Sequence, residues 1–184
     1  MNETADREMN EFIAPTHQGA SKDSPPAVRI PESSAASDSG KNGDTENKAH
    51  GAYIKIQANS GNLNYLSDWL SGALRGHNCP EAISNQIMLV NEEIFINIAS
   101  YAYPVTGGNV TARIGKKGKL LALQYEDEGV PFNPLEMPAP EMNVPLEERK
   151  IGGLGIFLVR QIMDEVKYER VNNKNKLTLY KIIS

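Results

Sequence analysis

Six apolar side chains recur every three or four residues along one stretch of the chain: Ile83, Ile87, Val90, Ile94, Ile98 and Tyr101. At about 100° per residue they form a single stripe, so the spacing predicts a helix over 80–103 that buries this stripe, with Pro80 suited to its first turn. A helix that long with one apolar face needs a second layer to cover it. Strand patterns supply one. Residues 53–57 alternate, 109–114 and 119–125 flank Lys116-Lys117-Gly118 as a hairpin, and 165–171 and 176–183 flank a polar turn from Asn172 to Asn175. Asn62 can cap another helix reaching Gly76, in which Leu66, Trp69, Leu70, Ala73 and Leu74 keep helical spacing as core. These elements make an α+β, two-layer sandwich with a mostly antiparallel sheet and helices on one face.

Three local patterns carry chemistry. Glu93 and Asn97 lie four apart, hence on one face of the long helix, beside its buried stripe. There a carboxylate can take a proton from a nucleophile, and a carboxamide oxygen can ligate a hard cation such as Mg²⁺; the same pair also reads as boundary residues of an ordinary helix. Asp127 follows the apolar run Leu120-Leu121-Ala122-Leu123 at the exit of a strand, two residues before Gly129. It can accept a hydrogen bond from the exocyclic amine of a base, with Gly129 leaving room for a flat ring, or it can cap its own turn. Gly152, Gly153 and Gly155 run directly into the amphipathic segment Ile156-Phe157-Leu158-Val159. A glycine-rich helix start exposes unpartnered N–H groups at the positive end of the dipole, which suits a phosphate, although tight packing demands glycine too.

In this order, Glu93-x-x-x-Asn97, Asp127-x-Gly129 and Gly153-Leu154-Gly155 resemble the Bergerat ATP-binding fold shared by gyrases, histidine kinases, MutL-type proteins and certain chaperones. The run from Glu93 to Tyr103, the turn Asp127-Glu128-Gly129-Val130-Pro131-Phe132-Asn133-Pro134, and the glycines leading to Met163-Asp164-Glu165-Val166 are most similar to the anti-sigma-factor serine kinases. That resemblance covers the chain from about Ala52 onward. It implies binding of ATP with Mg²⁺ and transfer of the γ-phosphate to a serine of a small antagonist protein. It also implies a homodimer that restrains a sigma factor. Glu93 would be the base, Asn97 the metal ligand and Asp127 the adenine reader with Gly129. Gly153, Leu154 and Gly155 would cradle phosphate. A basic residue before the glycines, Arg149 or Lys150, would meet the transferring phosphate, but Ile151 and Gly152 intervene and leave the choice open. Thr178 matches a position where relatives offer a hydroxyl, and it also reads as a β-former. The alternative is a nucleotide-gated binding module that holds ATP and a partner without transferring phosphate. The catalytic part of a histidine kinase is a weaker option, since no dimerisation helix with a phosphoacceptor histidine precedes the domain. A clamp of the gyrase or chaperone type needs more chain.

Composition narrows the setting. The 184 residues carry a formal net charge of -4 and are 40% hydrophobic, with no run near the roughly 20 apolar residues of a membrane span. The acidic start, Met1-Asn2-Glu3-Thr4-Ala5-Asp6, has no apolar signal core, which predicts a cytoplasmic protein. Mild acidity argues against direct nucleic-acid binding. Lone Cys79 reads as a packing residue, and His17, His50 and His77 are too scattered for a metal cluster. Residues 1–50 are rich in Ser, Pro, Asn and charge, and read as a disordered tail before a domain at 51–184, with Phe12-Ile13-Ala14-Pro15 as a candidate docking element. Residues 132–151, with four prolines and no periodicity, join the Asp127 turn to the glycines and occupy a lid's position.

Overall fold

A computed structural model describes residues 51–105, 107–138 and 154–183. Five strands form one sheet: β1 (Ala52–Gln57), β2 (Asn109–Lys117), β3 (Leu120–Asp127), β4 (Glu165–Val171) and β5 (Lys174–Ile182), in the order β1-β2-β3-β5-β4 with every neighbour antiparallel. The α-helices among the described residues are α1 (Leu63–Gly76), α2 (Glu81–Asn97) and α3 (Leu154–Ile162). This is the expected α+β sandwich.

Strand periodicity sets which residues the helices cover. Alternate side chains, Ile54 and Ile56, Val110, Ala112 and Ile114, Leu121, Leu123 and Tyr125, Leu177 and Leu179, all face one way and join Leu66, Leu70, Leu74, Ile87, Val90, Ile94 and Val159 in one core. Leu123 stands opposite both Ile114 and Leu179, so the register places the largest aliphatics in the middle of the sheet. A polar chain crosses this core: the Tyr125 hydroxyl donates to Asn91 Oδ1 at 2.7 Å, and Asn91 Nδ2 donates to Ser67 Oγ at 3.2 Å. Burial pushes the Tyr125 phenol far up, so it stays a neutral donor tying β3 to α2 and α1.

Two expectations are corrected. The helix over 80–103 is α-helical only to Asn97, after which Ile98–Ala102 form a π turn. The wider winding shifts the phase of the stripe, so Ile87, Val90 and Ile94 are buried while Tyr101 is 67% exposed. It also aims the Ala102 carbonyl at Val130, whose N–H donates to it at 2.9 Å. The β4–β5 turn is shorter than the four polar residues predicted. Asn172 and Asn173 alone make it, both with positive φ (51° and 61°), which asparagine tolerates and a two-residue hairpin of this hand requires. The expected tail at 1–50, and Arg149, Lys150, Gly152 and Gly153, lie outside the described residues, as does most of the expected lid.

Candidate functional site

A cleft of about 510 Å³, partly open to solvent, lies between α2, α3 and the end of the sheet where β3 stops. Tyr125 and Leu177 floor it, Ile94, Asn97 and Ile98 come from α2 and its π turn, Val130, Phe132 and Pro134 from the segment after β3, and Ile156 from α3. The walls are apolar. Asp127 is the one carboxylate among the lining residues.

Asp127 is the last residue of β3 and sits on the core face, 6% exposed. Its Oδ1 accepts two hydrogen bonds at 2.9 Å, from the Gly129 N–H and from Asn175 Nδ2. Oδ2 takes none from the described residues and remains for a ligand donor. Turn capping and ligand reading, alternatives in the sequence, are thus compatible, one for each oxygen. Burial pushes the Asp127 carboxyl above its ordinary value, while the Asn175 and Gly129 hydrogen bonds and the Arg170 guanidinium pull it back.

Sequence reasoning missed the group that holds Asp127 in place. Asn175, opposite it on β5 and 7% exposed, also donates to the Val130 carbonyl at 3.0 Å and accepts on Oδ1 from Tyr168 Oη and Arg170 Nη1, each at 2.8 Å. Arg170 Nη1 also donates to the Gly129 carbonyl at 2.9 Å. The signal was present in the pattern, since Asn175 occupies an inward position of a strand continued by Leu177 and Leu179. It was read as turn. On the other side of the Asp127 turn, Tyr103 Oη accepts from the Glu128 N–H at 2.9 Å and donates to the Asn109 carbonyl at 2.7 Å.

Gly129 has a packing reason of its own: a Cβ there would collide with the carbonyl and Cβ of Ala102, so glycine is needed for the turn to close against the π turn. Thr178 is also displaced. It lies on the outer face of the sheet, opposite Gln124, whose Nε2 donates to Thr178 Oγ1 at 3.0 Å; the β5 residue that faces the cleft is Leu177. The one-residue offset follows from strand alternation.

The α2 residues divide. Asn97 lines the cleft, whereas Glu93, one turn earlier, is not part of its wall but lies against the first turn of α3: a Cβ on Gly155 would collide with the Glu93 carboxylate. Leu154, the first described residue of α3, is 62% exposed, and Ile156 of the same turn lines the cleft. Among the described residues no cluster of three His, Cys, Asp or Glu side chains could hold a metal ion. No described helix is long and apolar enough to cross a membrane.

Comparison with known proteins agrees with the geometry. The family model of the histidine kinase-like ATPase domain matches residues 56–181, which takes in α1, α2, α3 and all of the sheet but the start of β1 and the last residue of β5. One similar protein is the serine/threonine-protein kinase BtrW of Bordetella bronchiseptica, 27% identical over 94 residues, a span that covers 50% of this chain and 66% of that kinase. The family match spans more than half of the chain, and the chain belongs to the histidine kinase-like ATPase domain family.

Proposed function

We propose that this protein is an ATP-dependent protein serine kinase that phosphorylates a small antagonist protein and, when unopposed, sequesters a sigma factor as a homodimer. The observation that carries the reading is the placement of Glu93 beside the N-terminal turn of α3, one helical turn from Asn97 in the cleft. The serine/threonine kinase named among the relatives supports the same class of reaction.

Adenine would occupy the apolar cleft with its amine donating to Asp127 Oδ2, and Phe132 and Tyr101, both exposed at the mouth, would border the ring. The phosphates would extend toward α3, where free N–H groups and the dipole favour negative charge. Mg²⁺ would be held by Asn97 Oδ1 and would neutralise charge on the phosphates. Phosphoryl transfer depends mainly on positioning and charge neutralisation, so few protein groups are needed. Glu93 would accept the proton of the serine hydroxyl as its oxygen bonds the γ-phosphorus and the bond to ADP breaks.

A nucleotide-gated binding module is the second reading, favoured by the absence of Glu93 from the cleft wall. The test is incubation of the full chain with radiolabelled ATP and small domains encoded near its gene. Label on a serine of one of them supports the kinase; tight ATP binding with no label on any verified partner supports the binding module.

A further inference from the structure

The hydrogen-bond donors around Asp127 are already spent. In the turn after β3, the Glu128 N–H donates to Tyr103 Oη, the Gly129 N–H to Asp127 Oδ1 and the Val130 N–H to the Ala102 carbonyl. Both hydrogens of the Asn175 amide go to Asp127 Oδ1 and the Val130 carbonyl. The Tyr125 hydroxyl gives its one hydrogen to Asn91. A ligand that brought a carbonyl oxygen to Asp127 would find none of these groups free to meet it.

Tyr168 borders the same end of the cleft. It stands on β4 opposite Leu177, on the face the helices cover, and is half-buried among the lining residues. Its hydroxyl lies 2.8 Å from Asn175 Oδ1, and the neighbours of that amide dictate where the hydroxyl hydrogen points. Arg170 Nη1 can only donate, and it meets the same Asn175 atom at 2.8 Å, so that atom is the amide oxygen. The other end of the amide meets two acceptors, Asp127 Oδ1 and the Val130 carbonyl, which only the nitrogen can serve. Tyr168 therefore donates to Asn175, and toward the cleft its oxygen is left as an acceptor. One amide thus bridges the two acceptors, holding the Tyr168 hydroxyl at its oxygen and the Asp127 carboxylate at its nitrogen.

We propose that Tyr168 is a specificity-determining residue of the nucleotide site: its oxygen and Asp127 Oδ2 form an edge of acceptors that takes the two hydrogens of the exocyclic amine of adenine and turns away a purine with a carbonyl at that position. This deepens the nucleotide-binding reading and rests on it. A carbonyl oxygen set against two acceptors has no hydrogen to share, and it strips them of water without replacing its hydrogen bonds. Asn175 acts here as a positioning residue, since it aims the Tyr168 hydrogen away from the base, and Arg170 fixes the orientation of the Asn175 amide in turn.

The experiment is calorimetry of the full chain with Mg²⁺ and three triphosphates: ATP, inosine triphosphate, with a carbonyl in place of the amine, and purine riboside triphosphate, with only hydrogen there. The unmutated protein should bind ATP at least about tenfold more tightly than either analogue. Tyr168→Phe keeps the ring and should weaken ATP by about three- to tenfold, while purine riboside triphosphate stays within about twofold and inosine triphosphate binds as before or more tightly. Retained binding of purine riboside triphosphate also shows that the variant is folded. Equal losses for all three would reduce Tyr168 to a structural role and overturn the proposal, as would a Tyr168→Phe protein with undiminished ATP affinity. Independently of any substitution, an unmutated protein that binds inosine triphosphate as tightly as ATP would overturn it. Failure of the unmutated protein to bind any of the three would overturn the nucleotide reading itself, and this proposal with it.

Discussion

Asn175 and Asp127 face each other across β5 and β3, and the asparagine amide donates to Asp127 Oδ1 at 2.9 Å while also holding Val130, Tyr168 and Arg170. One buried side chain thereby fixes the carboxylate, the turn after it and the last strand pair as a unit. Asn175→Ala leaves several of these groups without partners, at about 1–3 kcal/mol for each group left buried and unsatisfied. Urea unfolding should show a lowered midpoint, and calorimetry a weaker ATP complex. An unchanged midpoint would mean that water replaces the amide at no cost.

The pH dependence of ATP binding should follow Asp127. Burial first, against the hydrogen bonds of Asn175 and Gly129, sets its folded pKa above the ordinary 3.8. In stability, such a group contributes in the protonated form: the contribution is complete below the unfolded value and lost as pH rises through the folded one. Binding runs the other way, because a protonated Oδ2 no longer accepts from the adenine amine. As pH falls from 7 toward 4, ATP affinity of the unmutated protein should drop, beginning above the range of an exposed aspartate. Asp127→Asn should bind more weakly by about 1–3 kcal/mol at pH 7 and lack this component. Calorimetric profiles of the two proteins that run parallel throughout would remove Asp127 from base recognition.

Two glycines should respond oppositely to alanine. At Gly129 the new methyl meets the Ala102 carbonyl, a backbone group that cannot swing aside, so the expected cost is about 1–3 kcal/mol of stability. At Gly155 it meets the movable end of Glu93, so stability should change by less than about 1 kcal/mol, helped by the helix preference for alanine, while phosphate transfer falls because Glu93 is displaced. Unfolding curves for both variants, with a transfer assay for the second, check the pair. A fully active Gly155→Ala would detach Glu93 from the chemistry.

Much of this was legible in the sequence. Strand alternation and the Ile87, Val90, Ile94 stripe are local patterns, and they place the sheet, α2 and Asp127 where they are found. The π turn was not, because apolar spacing continues through Ile98 and Tyr101 and only the pull of Val130 on the Ala102 carbonyl reveals the change of winding. Asn175 was missed because the polar run from Asn172 reads as turn through it, although Leu177 and Leu179 continue its inward alternation and put Thr178 on the other face. The packing reason for Gly129 was hidden, since its neighbour Ala102 is far away in the chain.

The most direct test of the kinase reading is Glu93→Gln, which keeps the size of the side chain but removes the proton acceptor. The account predicts that ATP affinity by calorimetry stays close to that of the unmutated protein while single-turnover transfer of radiolabelled phosphate to the antagonist serine falls by about 10²–10⁴-fold. Transfer at the unmutated rate, with ATP still bound, would contradict it.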